Sequence, residues 1–358
     1  MNELHPYILI IGSIIVSALI SFLAVGRTIY ITQKRKIYDT PDDIRKFHGA
    51  EIPSMGGIGV FLGFLGVGAV LHFGNYYFVF ISSAILFFTG VYDDLKNMSP
   101  LKKLIAQLLA SFITIYFLFS DPHFVKGFHG LEFSQTPISW TSIAFYTLFC
   151  TFFINAFNFI DGIDALACLL AIGSTGILAV FYYLSGYIAE ASLLLSLAGG
   201  TAGLLYYNRA PARIYMGDTG SMLLGFNMFV FSIIFLSKFD FKYPTQLTPY
   251  VPDRQNAGII LLSILFLPMY DAVRVFILRL SQGKSPLRAD RLHLHYYLLD
   301  AGFNHTKAAL TIMGIFVLNV TCAILLQSFN PMIPLVGILG ISQMSVYLIH
   351  RLRQKNGG

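Results

Sequence analysis

The chain has 358 residues, 56% of them hydrophobic and only 12% charged, with a mean hydropathy of +0.68. A water-soluble domain carries roughly a quarter charged residues, so a soluble globular protein is excluded and an integral membrane protein expected. The formal charge of +6 is no signal of nucleic-acid binding, because the basic residues orient the chain in a membrane and no RNA- or DNA-binding pattern accompanies them.

About 20 apolar residues cross the hydrocarbon core as a helix. The pattern predicts an all-α, polytopic protein with eleven spans, roughly 6–30, 55–72, 77–92, 103–120, 139–157, 165–185, 189–206, 220–238, 257–279, 308–328 and 332–350. No alternating ten-residue strand pattern appears, which argues against a barrel. The first span is too long and too apolar for a removable signal peptide, and it reads as the first membrane helix. With the N-terminus outside, 20 of the 24 Lys and Arg residues fall on inner loops and helix ends, so the C-terminus is expected inside. Cys150, Cys168 and Cys322 all lie within spans without a CxxC partner, which points away from disulfides and zinc. The whole of 1–358 reads as one transmembrane domain, its longest inner loops being about 31–54 and 280–307.

The informative polar residues surface on the inner side. Asp39-Thr-Pro41 with Arg45, Lys46 and His48, in the first inner loop, reads as a surface segment. Gly59-x-x-x-Gly63 reads as close helix packing. Asp93-Asp94 ends the third span, with Lys96, Lys102 and Lys103 following. Adjacent carboxylates repel, so a divalent cation or a basic phosphate partner would give the pair a purpose. In Asn155-Ala-Phe-Asn158-Phe-Ile-Asp161-Gly-Ile-Asp164, spacings of three align Asn155, Asn158 and Asp161 on one stripe, with Asp164 beyond Gly162. Such oxygen ligands suit a hard cation or the hydroxyls of a sugar.

Asp218 in Tyr215-Met-Gly217-Asp218-Thr-Gly220-Ser221 reads as a helix N-cap or as a ligand, and the flanking glycines would let a phosphate approach the backbone. Lys284, Arg288, Arg291, His293 and His295 fall within a dozen residues and form a candidate anion clamp. The His pair is also a candidate metal pair, against which the nearby cations argue. Asp271 and Arg274, one turn apart within span nine, read as an ion pair inside the membrane rather than as catalysts.

Taken together, DTPDDIRKFHGAEIPSMGG, YDDLKNMSPLKKLIAQ, NAFNFIDGIDALA, RIYMGDTGSMLLGF and SPLRADRLHLHYYLLDAGF resemble the polyprenyl-phosphate N-acetylhexosamine-1-phosphate transferases, over about Asp39 to Phe303. The last loop looks like that of the bacterial undecaprenyl-phosphate GlcNAc-1-phosphate transferases, except that Tyr296 replaces the final His of the usual His-x-His-His.

The resemblance implies a bacterial inner-membrane enzyme, with an active site formed by cytoplasmic loops near 31–54, 92–103, 155–165, 207–221 and 280–307. That enzyme moves a sugar-1-phosphate from a UDP-N-acetylhexosamine to undecaprenyl phosphate at the lipid surface, with a homodimer among the assemblies the resemblance allows. It implies Mg²⁺, or Mn²⁺, on Asp218 and Asn158, and catalytic roles for Asp93, Asp94, Asp161 and Asp164. Substrate binding falls to Lys103, Asn155, Asn158, Tyr215, Arg288, Arg291, His293 and His295. The alternatives are a muramoyl-pentapeptide transferase and, from another class, an anion transporter or flippase, whose charges would sit near mid-span.

Overall fold

A computed structural model describes residues 4–37, 52–71, 76–120, 140–238, 247, 254–285 and 290–356. Arg288 and the segment with Asp39, Arg45, Lys46 and His48 lie outside the described residues. The described residues form helices and connecting turns, without a strand. In chain order the helices are α1 (Leu4–Arg35), α2 (Gly57–Val70), α3 (Tyr77–Lys96), α4 (Pro100–Ser120), α5 (Trp140–Ile160) and α6 (Leu166–Leu184). They continue as α7 (Ile188–Asn208), α8 (Gly217–Lys238), α9 (Arg254–Ser281), α10 (Leu294–Asp300), α11 (His305–Leu325) and α12 (Met332–Asn356).

Ten of these helices are long and apolar enough to span a membrane. The expected second span is the exception. α2 has 14 residues, and at 1.5 Å per residue reaches about 21 Å, short of a core about 30 Å thick. The 280–307 segment also differs from a plain loop, since it contains the short helix α10.

The surface is built for lipid. On α1 the large residues Ile8, Ile11, Ile15, Leu19 and Leu23 face outward, while Ser13, Ser17 and Ser21 are buried. Water would favour the opposite arrangement; in lipid, helices associate through small residues that let backbones approach. Ser17 Oγ donates to Ser196 O of α7 at 2.5 Å. A Cβ at Gly203 of α7 would stand 2.5 Å from Ala18 O, and one at Gly59 of α2 2.6 Å from Ser21 Oγ. Gly59 and Gly63 thus pack α2 against α1, as their spacing predicts.

At the centre stands α8, buried from Thr219 to Phe235 and enclosed by α2, α3, α5, α6 and α9. Polar pairs tie its neighbours within the apolar interior: Thr114 Oγ1 to Ser82 Oγ at 2.8 Å, Asn227 Nδ2 to Ser83 Oγ at 3.0 Å, and Thr151 Oγ1 to Ser111 Oγ at 3.3 Å. Each satisfies a group that lipid would leave unpaired. The two ends of α8 are therefore fixed points, and Asp218 lies at one of them.

Candidate active site

Asp93 and Asp94 occupy the last turn of α3, which ends where Asn97 takes a left-handed backbone with φ of 48°. That reversal brings Met98 N–H onto Asp93 Oδ1 at 2.5 Å. Neighbouring side chains on a helix diverge by about 100°, so the two aspartates meet different partners. Asp94 accepts from Asp218 N–H at 2.9 Å, Thr219 N–H at 3.1 Å and the Thr219 hydroxyl at 2.5 Å.

These amides open α8. Asp94 is thus a cap lent by another helix, placed at the positive end of the helix dipole. The approach depends on glycine: a Cβ at Gly90, one turn earlier on α3, would lie 2.5 Å from Thr219 Cα. Gly217, at φ +73°, sits against Ser54 O and Asp94 Oδ2, where only glycine fits.

Asp93 instead faces Lys103 of α4, whose Nζ lies 3.5 Å from Oδ2. The same ammonium pairs with Asp218. On its other oxygen Asp218 accepts from Asn158 Nδ2 at 2.5 Å, and Asn158 Nδ2 also reaches Ser221 Oγ at 2.7 Å. Four helix ends, from α3, α4, α5 and α8, converge on this point. Among the described residues three acids stand here against one lysine, with the side chains of Asp93 and Lys103 each 16% exposed and that of Asp218 18%. Carboxylates so close stay ionised together only if another cation shares them.

The donor set fits a hard divalent ion. Asp93, Asp218 and Asn158 offer oxygen ligands alone, the chemistry that Mg²⁺ prefers. Among the described residues no three His, Cys, Asp or Glu side chains form a closed cage, because Asp94 is turned to the α8 amides. Two carboxylates and an amide leave positions for phosphate oxygens and water, as Mg²⁺ sites with nucleotide substrates do.

Around this cluster the structure separates the other expected site residues. Asn155 lies one turn deeper than Asn158, its amide nitrogen donating to Gln107 Oε1 at 2.7 Å and Thr151 O at 2.8 Å. Asp161 directly follows α5, with its backbone N–H on Asn158 O at 3.2 Å. Asp164 is 5% exposed. Its Oδ2 lies 3.2 Å from His305 Nδ1 of α11 and accepts Ala212 N–H at 3.2 Å, so it joins three segments below the site.

Tyr215 is held through its backbone, which pairs with Pro53 O and Gly56 N at 2.8 and 2.9 Å. Its side chain is exposed.

The His loop packs on the turn that follows α5. A Cβ at Gly162 would meet His295 Cε1 at 2.7 Å, and the Phe159 and His293 rings lie 5.7 Å apart. His293 Nδ1 is 2.8 Å from Asp271 Oδ2, and Asp271 also takes Arg274 Nη2 at 2.7 Å and Leu294 N–H at 3.2 Å. The ion pair read within span nine is present, and it also anchors the His loop. Arg291 pairs with Asp300 at 2.7 Å and lies over the Tyr296 ring at 4.9 Å. The departing residue Tyr296 is buried against His295, with centroids 4.2 Å apart. His293 and Arg291 are therefore engaged with partners within the protein.

Several contributors were missed in the sequence: Gln107, Thr219, Ser221, His305 and Asp300. Gln107 had a signal, since Lys103, Gln107, Ser111 and Thr114 form a polar stripe on α4 at helical spacing. His305 had none, its partner Asp164 lying 141 positions away, and Asp300 had none toward Arg353, 53 positions away.

The profile of the family described as "Glycosyl transferase family 4" matches residues 76–236, the segment holding Asp93, Asn158, Asp161 and Asp218. The chain is 30% identical over 301 residues to a probable undecaprenyl-phosphate N-acetylglucosaminyl 1-phosphate transferase of Bacillus subtilis, covering 81% of this chain and 77% of that protein. A Thermotoga maritima protein named undecaprenyl-phosphate alpha-N-acetylglucosaminyl 1-phosphate transferase is 28% identical over 283 residues, 78% of each chain. A Mycobacterium leprae protein named decaprenyl-phosphate N-acetylglucosaminephosphotransferase is 25% identical over 373 residues, covering 95% of this chain and 90% of that one. Similarity on that scale, running through the converging helix ends, makes this multi-pass membrane protein a member of glycosyl transferase family 4.

Proposed function

We propose that this enzyme transfers N-acetylglucosamine-1-phosphate from UDP-N-acetylglucosamine to undecaprenyl phosphate, releasing UMP and starting a lipid-linked cell-envelope glycan. The named relatives act on a polyprenyl phosphate and an N-acetylglucosaminyl phosphate group. The carrying observation is that Asp93, Lys103, Asn158 and Asp218 meet at helix ends, where a lipid phosphate and a soluble nucleotide sugar can both reach them. The Lys and Arg distribution supports placing that end on the cytoplasmic face of a bacterial inner membrane, with the N-terminus outside.

In the reaction a lipid phosphate oxygen attacks the β-phosphorus of the sugar nucleotide. A new P–O bond forms, the bond from the β-phosphorus to the bridging oxygen breaks, and UMP leaves with that electron pair. Both reactants are anions, so alignment and charge neutralisation dominate. Asp218, with Asn158 and Asp93, would hold Mg²⁺, which when bound supplies positive charge to the diphosphate. Lys103 holds the two carboxylates at the spacing the site needs and adds charge of its own. Asp93 positions the lipid phosphate; a phosphate monoester has its second pKa near 6, so little proton removal is needed at neutral pH. Asp94 fixes the α8 N-terminus, and with it Asp218. Asp161 and the exposed Tyr215 ring would hold the uridine, Tyr215 by stacking.

The test is a donor panel. Purified protein with undecaprenyl phosphate and Mg²⁺ is offered UDP-GlcNAc, UDP-GalNAc and UDP-MurNAc-pentapeptide, and UMP release is followed. Turnover with UDP-GlcNAc is expected. Turnover with the pentapeptide donor alone would overturn the reading in favour of the muramoyl enzyme, and no UMP from any donor would remove the transferase.

A further inference from the structure

The C-terminal helix α12 is mostly a lipid-facing element, with Met332, Ile333, Val336, Leu339, Met344 and Leu348 exposed. Its last turns are different in kind. Arg353 Nη2 pairs with Asp300 Oδ2 at 2.9 Å, and the other oxygen of Asp300 takes Arg291 Nη2 at 2.7 Å. The Tyr297 ring has the Arg353 guanidinium at 4.5 Å and that of Arg274 at 5.1 Å. Arg274 in turn donates to Leu292 O at 2.6 Å. One carboxylate and one ring of α10 thus connect the end of α12 to the loop that carries His293 and His295.

This connection has a physical consequence. α10 has seven residues, and a helix so short does not hold itself in water. Its placement is set by what grips it. His295, at its N-terminal end, packs on Gly162 in the turn after Asn158 and Asp161. Asp300, at its C-terminal end, is gripped by Arg353.

We infer that Arg353, which lies outside the expected site loops, is a positioning residue of the active site, holding α10 and the His loop against the Asn158–Asp161 turn through Asp300 and Tyr297. The inference rests on the proposed transfer reaction, because its readout is donor binding. Loosening α10 displaces the His loop from the donor side of the site and leaves the Asp93–Lys103–Asp218 cluster intact. KM for the nucleotide sugar should therefore rise while kcat holds.

The experiment compares wild type, Arg353→Ala, Arg353→Lys and Asp300→Asn in detergent, with UMP release measured against UDP-GlcNAc concentration and melting temperature read in parallel. Arg353→Ala is expected to raise KM roughly fivefold, the equivalent of about 1 kcal/mol for a partly exposed ion pair. Its kcat should stay within about twofold, its melting temperature should match wild type, and Arg353→Lys should recover part of the loss. Asp300→Asn should raise KM by a similar factor, and combining it with Arg353→Ala should add little. Tryptic cleavage after Arg291 should quicken in Arg353→Ala, a readout that does not depend on turnover.

Unchanged KM and unchanged cleavage in Arg353→Ala would overturn the inference. So would a joint fall of kcat and melting temperature that lysine fails to rescue, which would mark Arg353 as purely structural. Wild-type protein that releases no UMP would remove the transfer reaction itself, and the cleavage result would then decide whether Arg353 holds the loop.

Discussion

The two ends of α8 differ in how their charges are balanced. At the Lys238 end one buried carboxylate, Glu190, receives Lys238 Nζ and the Tyr76 hydroxyl, each at 2.6 Å. The ammonium also lies over the rings of Tyr76 and Tyr187, at 5.1 and 5.4 Å. Among the described residues one acid is answered here by one base and by aromatic faces, a balanced set. At the Asp218 end Asp93 and Asp218 share Lys103, while Asp94 is answered by backbone amides and a hydroxyl. A balanced end holds helices together. An end with surplus negative charge invites a cation and the anions that the cation brings.

Three substitutions break or sharpen this contrast. The largest effect is expected from Asp218→Ala, which removes the acid that both Lys103 and Asn158 address. Mg²⁺-dependent UMP release should fall by roughly a hundredfold to a thousandfold, in the range for losing one electrostatic anchor of a transition state. The protein should stay folded, because α8 is held along its length by buried contacts and the lost bonds to Lys103 and Asn158 are local. Turnover near the wild-type rate would show that the surplus charge serves no chemistry.

Asp94→Asn tests whether a helix cap can govern a site. The variant keeps an acceptor for the Thr219 hydroxyl but loses the charge facing the α8 dipole. A stability loss of about 1 kcal/mol is expected, together with a fall in kcat of about tenfold as Asp218 shifts. A full stability loss with unchanged kcat would separate the cap from the chemistry.

The smallest catalytic effect belongs to the other end. Glu190→Gln should lower stability by about 1 kcal/mol, because Lys238 is 36% exposed and can turn to water. UMP release should stay within about twofold of wild type. A loss as large as that of Asp218→Ala would mean that the two ends are coupled through α8, and the contrast would fail.

Much of this was legible in the chain, at the level of local pattern. The spans followed from runs of apolar residues, and the Gly59-x-x-x-Gly63 contact followed from small residues at helical spacing. The pairing of Asp271 with Arg274 followed from one helical turn. α2 was less legible, since an apolar run does not state how much of it remains helical. Within the acidic motifs, Asp93 and Asp94 look equivalent in sequence, as do Asn155 and Asn158. The fold divides each pair: Asp94 caps α8 while Asp93 faces Lys103, and Asn155 bonds Gln107 while Asn158 reaches Asp218.

The sequence by itself determined that the chain is a helical membrane protein and which of its segments are rich in polar residues. Both properties depend on short-range periodicity and on residue types that lipid tolerates only with a reason. Only the tertiary structure decided which acid meets which helix. A helix rotates successive side chains by about 100°, so the partner of each depends on where a neighbouring helix stops. Those stops are set by close contacts such as Gly90 on Thr219 and Gly162 on His295, formed between residues 129 and 133 positions apart.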